Sequence, residues 1–241
     1  MTRRFAALVG KELRVAFNTP VAYAVIAGFL VFTSVRLFVA RDFFNLDIAS
    51  LRDYYGVMPL VFVVLIPAIT MRSWAEERRG GTDEILLTLP VSERQLVGAK
   101  FVASLTLVLL ALSLTGFVPL LVTRFGDFER GEIVGQYLGL TLLATASVAI
   151  GQLVSSLARN QLSAFVFAAL VLLFLTGAGS FASAAVVPDR LASALSYLSL
   201  ETHYRSFNRG VADTRDVSYF VAITGLALVL NTCVLLARKA R

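Results

Sequence analysis

Residues 72–123 read RSWAEERRGGTDEILLTLPVSERQLVGAKFVASLTLVLLALSLTGFVPLLVT. The second half of this stretch decides the fold. Residues 101–123 hold no charged side chain, and a helix needs about 20 apolar residues to cross a hydrocarbon core. This run therefore reads as a membrane span. The first half is charged and interrupted. Gly80-Gly81 breaks the helix that emerges from the preceding apolar run. Thr82 caps a new short helix, with Asp83 and Glu84 in its first turn, where the helix dipole favours anions. Ile85, Leu86, Leu87 and Leu89 make that helix apolar, and Pro90 stops it. Ser92-Glu93-Arg94-Gln95 is a capping box that starts the helix leading into the span. A short helix, apolar and acidic, is thus expected between two spans. It either lies on the lipid or docks into a groove on a soluble partner. Its acidic residues count mildly against lipid, because the inner leaflet is itself negative.

Five further apolar segments flank this stretch, at residues 21–40, 57–71, 133–158, 162–187 and 217–237. Pro59 and Pro67 fall inside the second span, where neighbouring helices can satisfy the freed carbonyls. The expectation is an all-α membrane protein with six spans in one domain, residues 1–241. Composition agrees, with 57% hydrophobic and 16% charged residues. Residues 3–17 form an amphipathic helix. Phe5, Leu8, Val9, Leu13, Ala16 and Phe17 share one face, and Arg3, Arg4, Lys11 and Arg14 the other. Such a helix lies in the membrane interface, basic face toward anionic lipid head groups. Asn18-Thr19-Pro20 ends it. Lys11, Glu12 and Arg14 also break the first apolar stretch, so a cleavable signal peptide is not expected.

The net charge is +6. The basic residues sit at the ends of apolar runs, which is the positive-inside pattern and not a nucleic-acid surface. With the N-terminus inside, thirteen Lys and Arg fall on the cytoplasmic side and nine outside, four of those nine in one long loop. Both termini are therefore expected in the cytoplasm of a bacterial cell, with the protein in the inner membrane. The sizeable loops are 72–100 inside and 188–216 outside. Cys233 and His203 are the sole cysteine and histidine, so neither a disulfide nor a Cys/His metal cluster can form within the chain. Cys233, inside an apolar run, reads as a packing residue.

The run Glu76-Glu77-Arg78-x-x-Gly81-Thr82-x-Glu84-x-Leu86-Leu87-x-Leu89-Pro90-Val91-Ser92, followed by Gly98-x-Lys100, resembles the coupling loop of ABC-2-type transporter permeases. Lys11-Glu12-Leu13 with Phe17-Asn18-Thr19-Pro20-x-Ala22-Tyr23 is similar to that family's elbow helix leading into its first span. Residues 198–217, with His203-Tyr204, Ser206-Phe207 and Arg209-Gly210-Val211, resemble the GldF-type, gliding-motility branch. The resemblance implies the ABC-2, type V exporter-like fold: an elbow helix, six spans, a coupling helix between spans two and three, and a re-entrant element after span five. It implies a permease subunit paired with a second copy or a related membrane subunit such as a GldG-like one, and driven by two ATPase subunits. Glu76, Glu77, Arg78, Gly81, Thr82, Glu84, Leu86, Leu87, Leu89 and Pro90 would then face the ATPase, together with Lys11, Glu12, Leu13 and Arg14 of the elbow. No Gly-x-x-x-x-Gly-Lys-Ser/Thr string is present. ATP and Mg²⁺ are therefore expected on the partner, and the chain itself is expected to need no cofactor and to be non-catalytic. Another ABC-2 branch, such as the permease of nitrous oxide reductase maturation, would share this architecture. A self-contained secondary transporter or scaffold is the more distant reading. It would lead one to look for internal repeats and intramembrane charges, and neither is seen.

Single residues sharpen the expectations. Glu12 sits near the middle of the apolar face of its helix and needs a partner; Arg78, Arg79 or a cation on the ATPase would serve. A glutamate exposed on a less regular helix is the equal alternative. Arg36 near the outer end of span one can snorkel to the head groups. Gln152 and Asn231 are mid-span amides suited to hydrogen bonds between helices. Gly177-Ala178-Gly179-Ser180 reads as a break into the re-entrant turn, with close packing as the other use. His203 reads as a structural side chain in the external loop and not as the base of a protease.

Overall fold

The computed structural model describes residues 2–38, 51–81, 91–124, 129–182 and 188–239. Among them every regular element is a helix. Helix α1, Thr2–Phe17, is amphipathic as its sequence dictates: Phe5, Leu8, Val9, Leu13, Ala16 and Phe17 are partly buried, and Arg3, Arg4, Lys11 and Arg14 are exposed. The Thr19 hydroxyl donates to the Ala16 carbonyl at 2.8 Å. Pro20 then opens α2, Pro20–Phe38, where its missing N–H costs nothing. The pair is bent by 72°.

Helices α3 (Arg52–Gly56), α4 (Met58–Thr70) and α5 (Arg72–Arg79) follow one another closely. The joints Val57 and Met71 keep right-handed helical backbone. Residues 58–79 thus count as one helix of 22 residues. Pro67 lies inside it, buried among neighbouring helices. The expected capping box opens α6, Glu93–Thr115: the Ser92 hydroxyl accepts from the Gln95 N–H, and the Gln95 side chain accepts from the Ser92 N–H. Gly116 joins α6 to α7, Phe117–Val122, in a run of 30 residues.

Helix α8, Arg130–Leu157, is the centre of the bundle. Of its apolar window 61% is buried, against 28% for α9 (Gln161–Ala182) and 22% for α12 (Thr214–Lys239). Small side chains explain why. Gly135, Gly139, Ala144, Ala149 and Gly151 let neighbouring helices approach closely. At Gly139 any Cβ would collide with the Phe207 ring. On α12, by contrast, Val221, Leu226, Val229 and Leu236 are exposed, as befits a surface that meets lipid. Cys233 is exposed there too, so it is not the packing residue its apolar context indicated.

Among the described residues five helices are long and apolar enough to cross a membrane, or six if the bent α1–α2 pair counts as one span. The nearly all-helical architecture is the one anticipated from the sequence. Between α9 and α12 the chain folds back through α10, Asp189–Leu198, and α11, Leu200–Asn208. Leu200, Tyr204 and Phe207 of α11 are fully buried against the bundle, and the Tyr204 hydroxyl donates to the Tyr55 carbonyl at 3.1 Å. The small-residue run 177–180 does not break its helix; α9 continues to Ala182. It serves close packing instead. Gly179 faces Ser199 and Thr202, and the Ser199 hydroxyl donates to the Thr176 carbonyl at 3.1 Å. The anticipated short helix at 82–90, the last residues of span one (39–40) and those of span five (183–187) lie outside the described residues.

Candidate functional site

One end of the bundle gathers α1, α5, the start of α6 and the last turns of α8 and α12. At its centre is Lys100 of α6, whose side chain is 3% exposed. An unpaired ammonium there would be costly to bury. It is not unpaired: it donates to Glu77 Oε1 at 2.7 Å and to Glu12 Oε2 at 3.1 Å. Lys11 closes the group, 3.2 Å from Glu12 and 3.9 Å from Glu77. Two lysines and two glutamates thus form a charge-balanced cluster across α1, α5 and α6. The Lys100 ammonium also lies 5.0 Å from the centroid of the Trp74 ring, a cation–π contact.

Helix α5 is stitched to α8 as well. The Ser155 hydroxyl accepts from the Trp74 and Ala75 N–H groups at 3.2 and 3.4 Å and donates to the Met71 carbonyl at 3.2 Å. Arg78 donates to the carbonyls of Ser156 and Ala158 and, at 3.3 Å, to that of Leu157. Arg238 of α12 donates to the same Ser156 carbonyl. Those are the open acceptors at the C-terminus of α8, the negative end of its dipole, where cations are favourable. Nearby, Lys239 donates to Glu93 at 2.7 Å, joining α12 to the first turn of α6.

The candidate residues therefore divide. Lys11, Glu12 and Glu77 meet in the cluster. Glu76 turns aside to a bidentate pair with Arg72 on its own helix, both bonds at 2.8 Å. Arg78 grips α8. Leu13 is partly buried and Arg14 exposed. Gly81, with φ of +66°, ends α5 in the left-handed region that favours glycine. Thr82, Glu84, Leu86, Leu87, Leu89 and Pro90 lie outside the described residues. The partner expected for Glu12 is corrected: Lys100 and Lys11 hold it, while the carbonyls of α8 take the Arg78 guanidinium. Lys100 was quoted in the motif but not singled out; a lysine at the brink of a long apolar run asks for a counter-charge, and that was its signal. Trp74, Ser155 and Arg238 carried no signal of their own.

At the opposite end, His203 is buried between α11 and α12, stacked on Tyr219 at 3.7 Å between centroids. Its Nε2 lies 2.9 Å from the Tyr197 carbonyl, which can only accept, so that nitrogen donates. Its Nδ1 lies 2.7 Å from Asp216 Oδ1. Both ring nitrogens are engaged, and neither is left to take a proton from a serine. Within the bundle, Gln152 Nε2 donates to the Val97 carbonyl at 3.1 Å, the contact between helices that its position called for. Asn231 is fully buried with neither side-chain atom hydrogen-bonded among the described residues. Arg36, partly buried, borders a cavity with Ser180 and Glu201.

The model of a protein family described as ABC-2 family transporter protein matches residues 30–237. That stretch takes in α5, α6, α8 and all but the last two residues of α12, so that of the junction only α1 and the Arg238–Lys239 end of α12 fall outside it. Comparison with curated proteins gave no match.

Proposed function

The chain belongs to the ABC-2 family of transporters, and on that premise we propose that its α1–α5 end faces the cytoplasm and receives the stroke of a separate ATPase. The chain is the multi-pass permease subunit. ATP and Mg²⁺ bind the ATPase, which docks on residues 82–90 and on α1, the elbow. The permease works as a pair, with a second copy or a related membrane subunit, in the inner membrane of a bacterium. The resemblance of residues 198–217 favours the GldF-type branch.

The observation that carries this reading is the buried Glu12–Lys100–Glu77 cluster. Helix α5 is the segment that leads directly into residues 82–90. It is tied through Glu77 to α6 and α1, and through Arg78 to the end of α8. A push on the 82–90 segment is therefore felt by the elbow, span three and the central helix together. Such a junction turns motion of a docked subunit into rearrangement of spans.

The test is co-purification of the tagged protein in mild detergent from its native host, with and without Glu84→Arg. A Walker-motif ATPase accompanies the unaltered chain and is lost with the variant. Absence of any ATPase from both preparations overturns the reading.

A further inference from the structure

The inner side of the α1–α2 bend encloses a cavity of about 470 Å³, shared with α4, α5 and α6. That is within the usual size of a small-molecule site, roughly 300–1,000 Å³. Its lining is graded. One end carries Lys11, Arg72 and Lys100 with Glu12, Glu76 and Glu77. The other end is aliphatic, with Val21, Val25, Ala68, Ile69, Ala103 and Leu107. The gradient runs from the level of an interfacial helix into the level of the spans, which is the direction in which a lipid changes from head group to chain.

We propose that this corner binds a zwitterionic glycerophospholipid from the leaflet in which α1 lies. The charges argue for that head group. Three cations face three carboxylates, so the polar end offers a net charge of zero and both signs at its mouth. Lys100 is buried within its ion pairs, whereas Lys11 is 50% exposed and the Arg72–Glu76 pair 26% and 43%. Lys11 and Arg72 are placed to meet a phosphate, and Glu76 an ammonium. An anionic head group would bring a phosphate with no ammonium to balance it to a rim whose charges already sum to zero, whereas a zwitterion offers each rim charge its opposite. A soluble peptide is disfavoured because the aliphatic end is walled by span residues. The proposal rests on reading α1 as an interfacial helix beside the first span. It gives the junction a second input, since a lipid seated there contacts α1, α5 and α6, the three helices that the Lys100 cluster joins.

The test uses the full chain alone, so its result is independent of whether an ATPase partner exists. Delipidated protein is offered phosphatidylethanolamine or phosphatidylglycerol at equal concentration, and retained lipid is counted by native mass spectrometry. One phosphatidylethanolamine per chain is retained in preference to phosphatidylglycerol. Ala68→Phe, which fills the aliphatic end, removes it. Glu76→Lys, on the exposed rim, lowers phosphatidylethanolamine retention roughly tenfold and raises that of phosphatidylglycerol. Equal retention of the two lipids, retention of detergent only, or an unchanged preference in Glu76→Lys would each overturn the proposal.

Discussion

The two ends of this bundle are held by different physics. At the α1–α5 end the helices meet through charge: the Lys100 cluster, the two arginines on the α8 carbonyls and the Glu93–Lys239 pair. At the α11 end charge also takes part, in the His203–Asp216 and Arg52–Glu132 contacts, but packed side chains lead: Phe207 against Gly139, Tyr204 fully buried with its hydroxyl on the Tyr55 carbonyl, and His203 stacked on Tyr219. Ring packing is short-ranged and lost with small displacements. An ion pair falls off slowly with distance and can exchange partners. The charged end is therefore the one suited to two arrangements, and the aromatic end the one suited to stay fixed while the other moves.

Phe207→Ala gives the largest expected effect. It empties a fully buried site beside Gly139, and cavity formation of this kind costs about 3–5 kcal/mol. The thermal unfolding temperature in detergent drops sharply, and no salt condition restores it. Lys100→Met comes next, at about 3 kcal/mol, because it takes the buried cation from between Glu12 and Glu77 and leaves them the half-exposed Lys11. Here the comparison can be broken. Adding Glu12→Gln and Glu77→Gln to Lys100→Met recovers most of the stability if charge alone is at stake. If the triple variant is as unstable as the single one, the two ends do not differ in the way described. On the proposed function, the same triple variant keeps its fold yet no longer stimulates a co-purified ATPase, which separates stability from coupling.

Arg238→Gln removes a charged donor from the Ser156 carbonyl and costs about 1.5 kcal/mol, with Arg78 still in place. Arg78→Gln and Arg238→Gln together cost more than the sum of the two, because the last carbonyls of α8 are then left without either cation; a double-mutant cycle on unfolding reads this directly. Smallest is Glu93→Gln. Its partner Lys239 is half exposed, and such pairs contribute little. Any shift in unfolding temperature vanishes at high salt.

What could be read from the sequence follows the same division. Local signals were legible. The capping box at Ser92, the start of α2 at Pro20 and the exposed face of α1 each depend on residues within one or two turns, and the apolar runs fix the spans by length alone. Partnerships across the fold were not. Glu12 advertised its need for a cation, but Lys11, Arg78, Arg79 and Lys100 all offered one. The position of the α8 C-terminus, which absorbs Arg78, narrows the choice, and the meeting of α1 with α6 brings Lys100 to the carboxylate beside Lys11. The run 177–180 was ambiguous in another way. Small side chains permit a break and also permit close packing, and the choice fell to Ser199 and Thr202 on a helix twenty residues further on. Lys100 lay in plain view, yet its importance is a matter of three helices meeting.

One side chain at the junction has an optical consequence. Trp74 is the sole tryptophan in the chain, and it lies beneath the Lys100 ammonium. Emission from an indole shifts in colour with the electric field across its ring. The protein thus carries a built-in voltmeter at the one place where α1, α5 and α6 share their charges, and a change in the hue of its fluorescence would time the release of Lys100 without any added label.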